Sequence, residues 1–189
     1  MNIEELRKQY QQGKHFKYIF FWGHKKNDNE ITSTCFSQWY ECTFTADGIT
    51  YHTAEQYMMA QKARLFGDEA VLAKIMQANH PGENKALGRQ IRHFDSAVWD
   101  QHKSEIVVNG NLAKFSQNEP LKQYLLQTGN RVLVEASPYD QIWGIGMAKS
   151  EPGIGNPLAW KGENRLGFAL MEVRDRLNGM QVRTIDSRT

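Results

Sequence analysis

The 189-residue sequence predicts a helix-rich α+β domain with a small set of short strands, and three observations lead there. Helical periodicity with recognisable caps and stops covers most of the chain. Strand-like runs are few and short. They also fail to alternate regularly with helices, which a doubly wound parallel sheet would require. The length suits one domain with a substantial core.

The elements follow in order. Residues 2–12 are polar and helical and stop at Gly13. Residues 16–22 are aromatic-rich with little alternation and predict a buried strand, and residues 23–30 form a polar loop. Two short strands, near 41–45 and 49–52, flank Ala46-Asp47-Gly48, a good hairpin signal. Thr53 and Gln56 have capping-box spacing for a helix that Gly67 ends. Asp68 caps a helix near 68–78, Asn79-His80-Pro81-Gly82 breaks it, and a shorter helix runs over 83–91. Ser96 begins a long helix to about 116 that tolerates Gly110, and Pro120 opens another that ends at Thr128-Gly129. Arg131–Ala136 is the clearest strand of the second half. Residues 137–163 are Gly- and Pro-rich without periodicity, and their length together with Trp143 and Trp160 suggests a functional loop. Asn164 caps a last helix striped by Leu166, Leu170, Val173 and Leu177. The domain organisation is therefore an N-terminal helix (1–14), a main domain (15–179) and a polar tail (180–189).

The net charge is +2 with no long basic run, which argues against a dedicated DNA-binding protein but leaves room for small phosphates. The N-terminus lacks a signal-peptide core, and the longest apolar stretch, Tyr18–Trp22, is too short to span a membrane. Cys35 and Cys42 make neither a disulfide framework nor a zinc set. The expectation is a cytoplasmic protein without a membrane partner.

Glu55 and Lys62 are seven residues apart on one helix and return to nearly the same face, about 10 Å from each other. Glu55 lies in the first turn, where the helix dipole favours the ionised form. The same spacing also describes a solvated helix face. Asp140 and Trp143 project from a Gly-rich loop that opens at a strand end, where a flat heterocycle can stack on the indole. An Asx-turn at Asp140 and a core plug at Trp143 fit the same residues. Trp99 opens the long helix, as a stacking residue or as a core-facing one. The pairs His52–Glu55 and His102–Glu105 lack a third metal ligand. No Gly-x-Ser-x-Gly elbow is present, and Gly144-Ile145-Gly146 lacks the rest of a dinucleotide fingerprint, so neither metal nor cofactor is implied.

Several motifs occur together in order: Cys35–Tyr40, Ala54–Ala63, Trp99, Lys114-Phe115, Leu125–Gly129, Asp140–Gly146, Asn164–Gly167 and Leu170–Arg174. Over roughly residues 18–178 the chain resembles the NADAR family. The resemblance implies a compact α+β fold and N-glycosidase activity on pyrimidine ribosylamine 5′-phosphates of riboflavin biosynthesis. Other members remove ADP-ribose from guanine in nucleic acid, and a non-catalytic module that binds ADP-ribose or NAD is a third reading. The resemblance implies Glu55, Lys62 and Asp140 as catalytic residues. Trp99, Trp143, Gly144, Gly23, Ser37, Gln38 and Asn164 become substrate-binding candidates. Many members have Ser-Asn where this chain has Ser37-Gln38, and the departure implies that the longer amide either loses or re-aims that contact. Lys62 has two candidate roles, as a phosphate ligand or as a Schiff-base amine. Helix N-terminal amides with Lys25, Lys62 or Arg64 would meet the phosphate.

Overall fold

The computed structural model describes residues 1–186, with side chains to residue 180. In chain order the elements are α1 (Ile3–Gln11), β1 (Tyr18–Phe21), a 3-10 turn (Ser33–Phe36), β2 (Phe44–Ala46), β3 (Ile49–Tyr51), α2 (Ala54–Leu65) and α3 (Glu69–Gln77). There follow α4 (Pro81–Gly88), α5 (Ser96–Gln117), α6 (Glu119–Leu126), β4 (Val132–Glu135) and α7 (Arg165–Asp186). β1 and β4 pair in parallel, with Tyr18 opposite Val132 and Phe21 opposite Glu135. β2 and β3 form the expected antiparallel hairpin, turning through Asp47 at a φ of 51°. The α+β class holds. Among the described residues no helix is long and apolar enough to cross a membrane.

The boundaries moved for local reasons. β1 is half-buried rather than buried, with only Phe21 fully enclosed, because among the described residues it pairs with β4 alone. At α2, Thr53 accepts from the Gln56 amide as a cap should, but the Gln56 side chain reaches past Thr53 to the His52 amide. Pro81 opens α4 instead of breaking the chain: its missing N–H costs nothing in a first turn, and the His80 ring accepts from the Gly82 amide. α5 begins at Ser96 as expected, and Asp95 caps it, accepting from the Ala97 and Val98 amides. α7 runs past Gly179 to Asp186, through residues expected as tail, and residues 187–189 of that tail lie outside the described residues.

α2 is the buried centre. Ala54 through Ala60 are all enclosed, as suits a helix packed on by α3, α4 and α5. α5 in turn packs on α7, whose expected stripe of Leu166, Leu170, Val173 and Leu177 is buried and covers β4. α1 belongs to the same core: Ile3 and Leu6 join it, and Arg7 donates to the carbonyls of Pro157 and Trp160. Trp160 is itself a core residue. It packs edge-on against Tyr18, and its indole donates to the Ile154 carbonyl.

Gly110 shows why the long α5 tolerates a glycine. A Cβ there would lie 2.4 Å from the ring of buried Tyr57, so α2 and α5 cross closely only because position 110 is bare. Gly110→Ala is expected to lower folding stability by ~1–3 kcal/mol through overpacking. Chemical denaturation checks this, and an unchanged midpoint would remove Gly110 from the account of the crossing.

Candidate active site

A cleft of about 550 Å³ opens where five parts of the chain converge. These are Ser37–Trp39, the buried face of α2, the last turn of α4, the first turn of α5, and the end of β4 with the loop after it.

Glu55 sits at the base of this cleft. The Thr53 cap fixes the start of α2, and the Glu55 amide donates to the Gln38 carbonyl at 2.9 Å, tying the helix to the Ser37–Trp39 wall. The Glu55 side chain is only 4% exposed and accepts a hydrogen bond from Trp39. The helix dipole favours its ionised form, but burial wins. Desolvation, with Asp140 adding to it, pushes the carboxyl up to about 7 against the pull of Lys85, Trp39 and Lys62.

Lys62 lies two turns along the same face. Its ammonium donates to the Gly88 carbonyl at 2.8 Å and lies 4.3 Å from the centre of the Phe94 ring and 5.5 Å from that of Trp99. Burial lowers its pKa, with Arg89 adding and Glu55 opposing. That is the direction an amine nucleophile needs. A cation held against ring faces also suits an anion ligand.

Asp140 makes the Asx-turn and also lines the cleft. One carboxylate oxygen accepts from the Ile142 and Trp143 amides at 2.9 and 2.8 Å, the Asx-turn that shapes the loop. The same carboxylate lines the cleft and raises both Glu55 and Glu135. Trp143 is half-buried. It packs against the core with one part and lines the cleft with another. Trp99 does the same.

The Ser37–Trp39 wall is held from behind. Fully buried Lys114 donates to the carbonyls of Cys35 and Ser37 at 2.7 and 2.9 Å, and the Ser37 hydroxyl accepts from the Trp39 amide. Gln38 accepts from buried Asn111 at 2.8 Å. Its own NH₂ has, among the described residues, only the Met58 sulfur, 4.0 Å away, as a partner.

Other expected residues stand elsewhere. Gly23 is exposed and is not part of the cleft lining. Gly144 does not line it either: a Cβ there would meet the Glu135 carbonyl oxygen at 2.9 Å, so the bare position lets the loop pack on β4 rather than on a ligand. Asn164 is fully buried and braces β4 from behind, accepting from the Glu135 amide and donating to the Leu133 carbonyl. Its side chain therefore does not cap α7. Arg64 turns to the Tyr51 hydroxyl and Lys25 lies in an exposed loop, so neither reaches the cleft.

Residues that sequence reasoning missed complete the lining: Glu135, Lys85, Arg89, Trp39 and Tyr139. Two signals were available. Glu135 is the only charged residue in the apolar run from Val132 to Ala136, and Lys85 and Arg89 sit one turn apart on a helix. The result is a cleft of mixed charge, lined by Glu55, Glu135 and Asp140 together with Lys62, Lys85 and Arg89, of which Lys85 acts on both glutamates. In a larger cleft of about 860 Å³ between α1, α5 and α7 the cations are already engaged, Lys161 by Glu151 among them. There Arg7 is engaged by backbone carbonyls and Arg165 by Glu163.

With this geometry the comparisons can be read. The family model described as the NADAR domain matches residues 20–178. The chain belongs to the NADAR family. It is 44% identical over 164 residues to N-glycosidase R617 of Acanthamoeba polyphaga mimivirus, covering 84% of this chain and 95% of that protein. It is 34% identical over 142 residues to N-glycosidase YbiA of Escherichia coli, covering 75% and 80% of the two chains. The NMR structure of E. coli YbiA superposes with a TM-score of 0.72 at 28% identity over 89% of each chain. In keeping with its NADAR relatives, the chain is a hydrolase of N-glycosyl bonds.

The two functions of Asp140 can be separated. Asp140→Asn keeps an acceptor oxygen for the turn and removes the charge. Its thermal midpoint should stay near wild type while Glu55 and Glu135 both shift down. Asp140→Ala loses the turn as well and should lower stability by ~1 kcal/mol. Equal midpoints for the two variants in thermal denaturation would deny the turn its structural role.

Proposed function

We propose that this NADAR enzyme hydrolyses the C1′–N bond of ribosylaminopyrimidine 5′-phosphates, small intermediates of riboflavin biosynthesis, in the cytoplasm. The mixed charge of the cleft lining supports this reading: Glu55, Glu135 and Asp140 share one cavity with Lys62, Lys85 and Arg89. Such a molecule has a dianionic phosphate at one end. At the other is a bond whose cleavage builds positive charge on C1′. The cations match the first and the carboxylates the second. A volume of about 550 Å³ lies within the range of small-ligand sites.

Trp99 and Trp143, with Trp39 beside Glu55, offer ring faces to a flat pyrimidine. The Gln38 NH₂, with only a sulfur for company, is placed to donate to a carbonyl of the base. Glu55, raised to about 7, is poised near neutral pH to take the proton of the attacking water and, once ionised, to stabilise C1′.

The test incubates purified protein separately with a ribosylaminopyrimidine 5′-phosphate and with an ADP-ribosylated guanine oligonucleotide, and follows the released base by chromatography. Free pyrimidine with ribose 5-phosphate is expected from the first. Release from the oligonucleotide alone would replace the substrate. Glu55→Gln should lower kcat/KM by ~10²–10⁴ with an unchanged thermal midpoint, and near-normal release would remove Glu55 from its role.

A further inference from the structure

β4 carries Val132, Leu133 and Val134 into the core and then presents Glu135 to the cleft. The backbone of Glu135 is held on several sides. Its amide donates to Asn164, its carbonyl accepts from the Ile145 amide, and Phe21 of β1 lies opposite. Its carboxyl is held by very little. Oε2 is shut away from solvent with no hydrogen-bond partner, and no ion pair reaches the group among the described residues. Burying a carboxyl without partners costs stability and contributes nothing to the fold in return. The chain nevertheless keeps an acid here, at the end of β4 and in the lining of the cleft.

The charged groups acting on Glu135 come from three elements. Asp140 from the loop and Glu55 from α2 repel its ionised form, and Lys85 from α4 attracts it. Burial comes first among the causes, and together they push the carboxyl up to about 8. Glu135 therefore holds its proton at neutral pH, beside a Glu55 that is partly ionised. Asp140, the other carboxylate of the cleft, has one oxygen committed to two backbone amides.

We infer that Glu135 is the catalytic acid that protonates the departing nitrogen, paired with Glu55 as the base. The assignment rests on the N-glycosidase reading of the same cleft. The C1′–N bond breaks with its electron pair going to nitrogen, which takes the Glu135 proton and leaves as the free amine. Water forms the new C1′–O bond and gives a proton to the Glu55 carboxylate. Return of that proton to Glu135 restores both groups, and one water has been added.

The rate should follow a bell. Below about 7 Glu55 is protonated and cannot act as base, and above about 8 Glu135 has lost the proton it must give, the two values belonging to the coupled pair. Glu135→Gln in the full-length protein replaces the acid with a neutral isostere. Two substrates distinguish a proton donor from a structural residue. One is the ribosylaminopyrimidine phosphate. The other is a ribosyl pyridinium 5′-phosphate, whose nitrogen already carries positive charge and leaves without a proton. The expected result is a loss of ~10² or more in kcat/KM on the amine, disappearance of the alkaline limb, and little change on the pyridinium. Glu55→Gln should lose activity on both.

An equal loss on both substrates for Glu135→Gln, or an unchanged alkaline limb, overturns the assignment. The alkaline limb decides alone should the pyridinium not be turned over. Two other variants read the same limb should Glu135→Gln fail to fold. Lys85→Met should move it to higher pH and Asp140→Asn to lower pH, and a limb that moves in neither overturns the assignment. Wild-type protein that releases base from neither substrate overturns the parent reading and this one with it.

Discussion

Withholding water from the Glu55 carboxyl and from one oxygen of Glu135 is the constraint on which the rest of this structure depends. Glu55 and Glu135 reach the cleft from different elements, one from the first turn of α2 and one from the end of β4. Each is raised first by burial and then by a like charge. In water both would be ionised at neutral pH and neither could hold a proton for transfer. The enclosed core around α2 and the packing of α7 on β4 make that exclusion of water possible.

Much of the remaining polar structure serves to fix the walls of this cleft rather than to fill it. Lys114 pins the carbonyls of Cys35 and Ser37, Asn111 orients Gln38, and Asn164 laces the edge of β4. The Glu55 amide closes the set by bonding to the Gln38 carbonyl. These side chains are buried, and their hydrogen bonds hold the geometry of the walls from behind. The cations differ. Lys85 and Arg89 are exposed at the rim, where long side chains can meet a phosphate as it arrives.

The sequence showed the parts that depend on local rules. Helix spacing placed Glu55 and Lys62 on one face, and the Asp47-Gly48 turn and the α7 stripe followed from short-range pattern. Glu135 was hidden because its role comes from pairing with β1 and from the loop folding back over β4, both long-range events. Asn164 and Gly144 were misread for a related reason. Polar and small residues near a site look like ligand contacts, and only the fold shows that they hold β4 and its loop together. Asp140 was ambiguous in sequence because a single carboxylate both holds the turn and lines the cleft.

The claim that these carboxyls are poised by burial is open to direct measurement. Carbon-13 NMR titration of the glutamate side-chain carboxyls, assigned with Glu55→Gln and Glu135→Gln, would follow each group in the intact protein. The account predicts two coupled transitions well above the ordinary carboxylate range, at about 7 and about 8. Two transitions near the usual value of ~4.3 would contradict it.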